Sequence, residues 1–295
     1  MLSPNRWESS FFSSNIKQYI ITKITESLAN ALKPPQLPRK KVIPRWTLKR
    51  FITHLKDKFD IACSRETVRK VLINAVFSWK KARKILNKAN PKERESFVQT
   101  LKLLLDDATH NKRILIYIDE AHIGLDTSEG YGWSVLGKRF WVSSHSPGLA
   151  KVSFYGVYIY NYGQVSIYPY DKANTENTVE VLEKIRQKLP HQNITIIWDG
   201  ATYHRSRLVK EVANKLHIDL QALPSYSPDF MPVEHLWSWL REEICYHTCY
   251  NTKQQLIDEA QRFKKRINLN PINIADRLWT KTQLNQDEEK MRFSM

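Results

Sequence analysis

The spacing of apolar residues changes character partway along the chain. From Asn15, Ile16, Ile20, Ile24, Leu28 and Leu32 recur at every fourth position, one face of a helix, and the proline-rich stretch 33–38 ends it. Residues 46–58 predict a second helix with Leu48, Phe51, Ile52 and Leu55 inward. After a short turn, Ser64 offers an N-cap to a third, whose Val68, Val71, Leu72 and Ala75 face back. Residues 92–110 predict a connecting helix with Phe97, Leu101, Leu104 and Leu105 on one side. Then the period disappears. Ile114–Ile118 and Ile194–Trp198 are short runs, β-branched and apolar at nearly every position. Strands covered on both faces, usually in a parallel sheet, read this way.

Around these runs the chain predicts strands at 138–142, 151–160, 164–168 and 218–222, the third entered through an Asn-Tyr-Gly turn. Helices are expected from Asn174 to Leu189, from about Thr202 to Leu216, from Glu234 through Leu236, Leu240 and Ile244, and from Gln254 to Ile267. Beyond Trp279 the chain is polar and is expected to be disordered. Strand, antiparallel strands, helix, strand, helix, strand, helix is an α/β order.

Each of the two apolar runs ends in an aspartate, Asp119 and Asp199, and ligands in open α/β sheets gather at the carboxyl ends of strands. With 34 residues between it and Asp199, Glu234 follows a Pro-Ser-Tyr-Ser-Pro loop in the first turn of a helix. Three carboxylates brought together would raise one another's pKa unless a cation joined them. Oxygen-only ligands suit Mg²⁺, and a pair of such ions serves in-line phosphoryl displacement. Glu120 follows Asp119 on a strand, so it is expected on the opposite face in a structural role. Trp237 and Trp239 read as packing residues, and Lys138 and Arg139 as edge or DNA contacts in equal measure.

Charge divides the chain in two. Residues 1–113 hold 25 Lys and Arg against 9 Asp and Glu, the whole of the +16 net charge, whereas residues 114–295 hold 21 of each. A basic module ahead of a neutral catalytic one points to nucleic acid. Candidate DNA contacts are Arg39, Lys40 and Lys41 in a basic linker, Arg65, Arg69 and Lys70 on the third helix, and Lys80, Lys81 and Arg83 after it. Three cysteines, an odd number, make no disulfide framework, and Cys245 with Cys249 lacks a second pair at zinc spacing. With no apolar run near ~20 residues and no signal peptide, a cytoplasmic, nucleoid-associated protein is expected.

Several motifs occur in sequence order. They are Tyr117-Ile118-Asp119-Glu120, the Gly130-Tyr131-Gly132-Trp133 stretch with Gly137-Lys138, Asp199-Gly200 followed by His204-Arg205-Ser206, and Leu223-Pro224-x-Tyr226-Ser227-Pro228 leading to Pro232-x-Glu234. This set resembles the DDE transposases of the mariner-like superfamily, in their bacterial insertion-sequence branch. The family usually carries Asn where this chain has Gly200, and often Asn-Pro-x-Glu where it has Met231-Pro232-Val233-Glu234. The resemblance implies a ribonuclease-H-like catalytic domain, a mixed sheet flanked by helices, preceded by a small all-α winged helix-turn-helix domain. It implies Asp119, Asp199 and Glu234 as catalytic metal ligands, with His204 as an auxiliary group near the scissile phosphate.

The expected division is residues 1–43 as an N-terminal helix and basic linker (a truncated first DNA-binding unit), 44–88 as the helix-turn-helix, 89–112 as the connecting helix, 113–279 as the catalytic domain and 280–295 as a tail. The expected function is cut-and-paste DNA transposition: binding of terminal inverted repeats, metal-dependent cleavage and strand transfer to target DNA. Two Mg²⁺ ions per site, replaceable by Mn²⁺, and a homodimer or larger assembly go with it. The alternatives are a ribonuclease-H-like nuclease, which would need no sequence-reading module, and a transposase-derived DNA-binding regulator without transposition activity.

Overall fold

A computed structural model describes residues 13–32, 46–79, 90–136, 138, 140–144 and 150–284. The chain divides into two units, one reaching to residue 85 and one spanning 86–290, each described by itself.

The first unit holds three helices: α1 (Ser14–Leu32), α2 (Leu48–Phe59) and α3 (Arg65–Asn74). Thr47 caps α2 by accepting from Arg50 N–H, and Ser64 caps α3 by accepting from Thr67 N–H. One cluster closes the unit: Ile20 of α1, Phe51 and Leu55 of α2 and Val68 of α3, with Trp46, Val71 and Leu72 around them. Thus α1 shares a core with the other two helices. Its Tyr19 hydroxyl also lies 2.8 Å from His54 Nε2 on α2.

The second unit opens with α4 (Pro91–Thr109), capped by Asn90 with proline in its first turn. Five strands follow: β1 (Ile114–Gly124), β2 (Lys151–Ile159), β3 (Gln164–Tyr170), β4 (Ile194–Trp198) and β5 (Ile218–Ala222), in spatial order β3-β2-β1-β4-β5. β1, β4 and β5 run parallel and β2 lies antiparallel to both β1 and β3. This is the mixed sheet the sequence predicts. Alternation along the buried strands feeds two layers. Leu115, Tyr117 and Ile197 face Phe97 and Leu101 of α4, Leu236 of α7 (Val233–Leu240), Leu256 of α8 (Lys253–Ile267) and Ile274 of α9 (Pro271–Arg277). Ile114, Ile116, Ile118 and Ile196 face Val181 and Leu182 of α5 (Thr175–Lys188) and Val209 of α6 (Arg207–Lys215).

Three expectations change. No strand forms among the described residues of 138–142, since no described strand pairs with them; Phe140 instead lies edge-on to His247 and Trp141 stays exposed. The helix expected from Thr202 begins only at Arg207, where Ser206 caps it, since residues 201–205 turn to bring His204 back to Asp199. Residues 280–284 of the expected disordered tail are ordered: Lys281 reaches Asp229 and Leu284 packs on the core. Residues 285–295 lie outside the described part.

Gly156 of β2 pairs with Asp119 of β1. A Cβ at Gly156 would stand 2.5 Å from Trp237 Cζ2 and 2.8 Å from Val233 Cγ1. Trp237 is 1% exposed and has nowhere to retreat. Gly156→Ala is therefore expected to destabilise the second unit by about 1–3 kcal/mol, the usual cost of overpacking, measured by urea denaturation. Stability equal to the parent's would show that the indole has slack.

Candidate active site

The parallel register of β1 and β4 runs through Tyr117 opposite Ile197. Two residues on come the aspartates: Asp199 follows the last residue of β4, whereas Asp119 does not end its strand as the apolar run suggests, because β1 continues to Gly124 paired with β2. Glu234 arrives from the other direction. It is the second residue of α7, exposed, while its neighbours Val233, Leu236 and Trp237 are buried and fix the helix to the sheet.

Asp119 and Asp199 sit in opposite electrostatic settings. Burial pushes the Asp119 carboxyl up to about 8, and the charges of Glu234, Glu120 and Asp199 push the same way. Trp237 opposes them, its indole N–H donating to Asp119 Oδ2 at 3.0 Å. Asp199 is held low, first by its hydrogen bond with His204 and also by Ala201 N–H, which it accepts at 2.9 Å. Glu120, on the opposite side of β1 as strand alternation requires, accepts from the Tyr203 hydroxyl at 3.0 Å and lies 2.9 Å from His204 Nε2.

His204 closes this second arrangement. An imidazole near the scissile phosphate is the sequence expectation, but the ring is 2% exposed and stacked on Trp198 with centroids 4.4 Å apart. Both ring nitrogens are engaged, Nδ1 with Asp199 Oδ1 at 2.8 Å and Nε2 with Glu120. Burial works against its imidazolium, yet the hydrogen bonds to the two carboxylates outweigh it, and its pKa rises to about 9. His204 is a brace for Asp199.

Two groupings of ligand atoms thus share Asp199. Glu120, Asp199 and His204 lie close enough for a cation, within 4.8 Å of one another, but their hydrogen bonds to each other and to Tyr203 already occupy the facing atoms. Asp119, Asp199 and Glu234 are different. Among the described residues no hydrogen-bond partner meets Asp119 Oδ1, Asp199 Oδ2 or the Glu234 carboxylate. Their ligand atoms do not all lie within 4.8 Å of one another as those of the first grouping do, but the charges of Glu234 and Asp199 reach Asp119, and carboxylates that repel one another and keep uncommitted oxygens suit a hard divalent cation.

The sequence reading missed the Trp237 contact, which only the vacancy at Gly156 permits, and the hold of Glu120 on His204. Of the expected DNA contacts, Arg65 and Lys70 lie on α3, and Arg69 there pairs with Glu66 at 2.5 Å. Arg39, Lys40, Lys41, Lys80, Lys81, Arg83 and the edge residue Arg139 lie outside the described residues, while Lys138 is exposed. Cys245 and Cys249 are free thiols, Cys249 donating to Asp126.

Two family profiles match the chain, one described as DDE superfamily endonuclease over residues 113–257 and one as winged helix-turn helix over residues 43–101. The Tcb2 transposable-element transposase of Caenorhabditis briggsae is 32% identical over 78 residues, 26% of this chain and 27% of that protein, so the match spans about a quarter of the relative. Among solved structures, the Mos1 transposase paired-end complex with left transposon end matches with a TM-score of 0.63 at 13% identity, covering 100% of this chain and 82% of that one. The mariner Mos1 paired-end complex with Mg matches at 0.62 and 14%, with the same coverage. Likeness at such identity is one of fold: a ribonuclease-H-like sheet with flanking helices.

The His204 setting has a measurable pH signature. Its folded pKa of about 9 exceeds the ordinary 6.5, so the imidazolium contributes fully below about pH 6.5 and its contribution fades as pH rises through about 9. In chelator, the stability gap between the parent and His204→Asn is expected to shrink from pH 6 to pH 10 by on the order of 3 kcal/mol. A gap independent of pH would show that the ring is neutral in the fold.

Proposed function

We propose that this chain, which carries a DDE superfamily endonuclease domain behind a winged helix-turn-helix, is a DNA transposase that cuts at element ends and transfers the freed strand to target DNA. The observation that carries this reading is that Asp119 within β1 feels the charges of Asp199, just past β4, and of Glu234 at the start of α7, with carboxylate oxygens left uncommitted. Bound there, Mg²⁺ or Mn²⁺, two ions in the full site, supplies the Lewis acidity and the activated oxygen that phosphodiester cleavage and strand transfer need.

The chain's own residues supply position. Asp119 and Asp199 offer ligand oxygens from a rigid sheet, and Glu234 offers one from the turn of a helix anchored in the core. Trp237 fixes one oxygen of Asp119 and leaves the other without a hydrogen-bond partner among the described residues. His204, locked by Glu120, does the same for Asp199. Pinning one oxygen of a ligand by a second group is how metal sites keep their ligands oriented. Ahead of this site, α2 and α3 with the short turn between them form the reader of end DNA, α3 entering the major groove with Arg65 and Arg69 near its start. Arg69 has to leave Glu66 to contact a base or phosphate. Pairing of two ends calls for a homodimer or larger assembly.

Three substitutions test the site. Asp119→Asn, Asp199→Asn and Glu234→Gln are each expected to abolish Mg²⁺-dependent cleavage of duplexes taken from the DNA flanking the gene, while gel-shift affinity stays near the parent's. Substantial cleavage by any one of them would remove that residue from the ligand set. For the reader, Arg65→Ala with Arg69→Ala is expected to lower discrimination between end DNA and random DNA by about 1–3 kcal/mol per lost bidentate base contact at fixed salt. A uniform loss on both DNAs would assign the two arginines to phosphates instead.

A further inference from the structure

Arg94 stands in the first turn of α4 between two exposed glutamates, Glu93 and Glu95, yet it is itself 0% exposed. Its Nη1 donates to Ser227 Oγ at 2.6 Å and to Asp229 Oδ1 at 3.0 Å, and its Nη2 to Asp229 Oδ2 at 2.8 Å. The guanidinium lies 4.7 Å from the centre of the Phe230 ring. From the far end of the chain, Lys281 donates to the same Asp229 Oδ2 at 2.8 Å. A buried ion pair is seldom the most stabilising filling for a core, since desolvation consumes most of its attraction. What the planar, two-pronged Arg–carboxylate pair does supply is a fixed orientation.

The segment so oriented is the one that presents Glu234. Tyr226 is in the left-handed region, φ 58°, and the chain then tightens through Pro228–Phe230. Phe230 N–H donates to Ser227 O, Met231 N–H to Pro228 O, and Glu234 N–H to Met231 O at 3.2 Å. Four residues thus separate the clamped carboxylate from the glutamate. Glu234 is exposed, and among the described residues no hydrogen bond holds its side chain, so its place depends on the backbone that carries it.

We propose that Arg94, Asp229 and Lys281 are positioning residues that set Glu234 for metal binding. The start of α4 and the segment after α9 both hold the loop through Asp229, so the third carboxylate reaches Asp119 and Asp199 only when both are docked. This rests on reading Glu234 as a ligand.

The test uses the full chain with Mn²⁺ as probe, counting bound ion by the loss of the free-Mn²⁺ electron paramagnetic resonance signal, with the Mn²⁺ midpoint for DNA nicking alongside. Lys281→Met and Asp229→Asn are expected to weaken Mn²⁺ binding and raise the nicking midpoint by about 10-fold or more, the usual effect of removing a group that orients a ligand. Lys281→Arg is expected to restore both. A core variant of matched melting temperature, Phe263→Leu in α8, is expected to leave both unchanged, which separates positioning from general loosening. Asp229→Asn leaves Arg94 buried without its counter-charge, so if that variant fails to fold, the Lys281 pair decides. Glu234→Gln keeps the two readings apart. If it binds Mn²⁺ and nicks like the parent, the ligand assignment falls. If it loses both while folded Lys281→Met retains the parent's affinity and midpoint, the positioning role alone is overturned.

Discussion

The parallel pairing of β1 with β4 is the constraint on which the rest depends. Four matched residues, from Ile114 opposite Ile194 to Tyr117 opposite Ile197, lock the register; two residues on, β4 has ended at Asp199 while β1 carries Asp119 partway along its length. Side chains alternate on a strand, so a slip of one residue would send either aspartate to the wrong face. Packing on both faces opposes that slip, because the side chains of each face are already seated against the helices that cover it. The sheet therefore tolerates the repulsion that two adjacent carboxylates bring.

Around that pair the molecule uses unlike neighbours for like groups. Asp119 has an indole N–H and a low-polarity surround, and its proton is held. Asp199 has an imidazole and a backbone N–H, and its proton is released. The asymmetry comes from elements distant in sequence: α7 supplies Trp237, and the turn before α6 supplies His204.

Much of this was readable from residues alone. A strand covered on both sides is apolar at nearly every position, so Ile114–Ile118 and Ile194–Trp198 disclosed the parallel sheet and the aspartate after each run, though not that β1 continues past Asp119 to Gly124. The helices of the first unit showed their inner faces by spacing. Other features depend on partners that no local pattern announces. Arg94 lies in the run Lys92-Glu93-Arg94-Glu95, which reads as a solvated face, and its burial becomes legible only when Asp229 is in view. Lys281 sits in a polar stretch for the same reason. The Phe140-Trp141-Val142 stretch has strand-like composition, but among the described residues no strand pairs with it, and composition cannot supply one.

The missing side chain at Gly156 reaches further than its own strand. Because the indole of Trp237 fills the space where a Cβ would be, positions 156 and 237 are sterically one site divided between two elements 81 residues apart in the chain. Any drift toward a larger residue at 156 demands a smaller one at 237, and a smaller one gives up the N–H that meets Asp119. The two positions can change only together, and only where some other donor takes over that carboxylate oxygen. A glycine with no chemistry of its own thereby limits which sequences can keep this arrangement of acids.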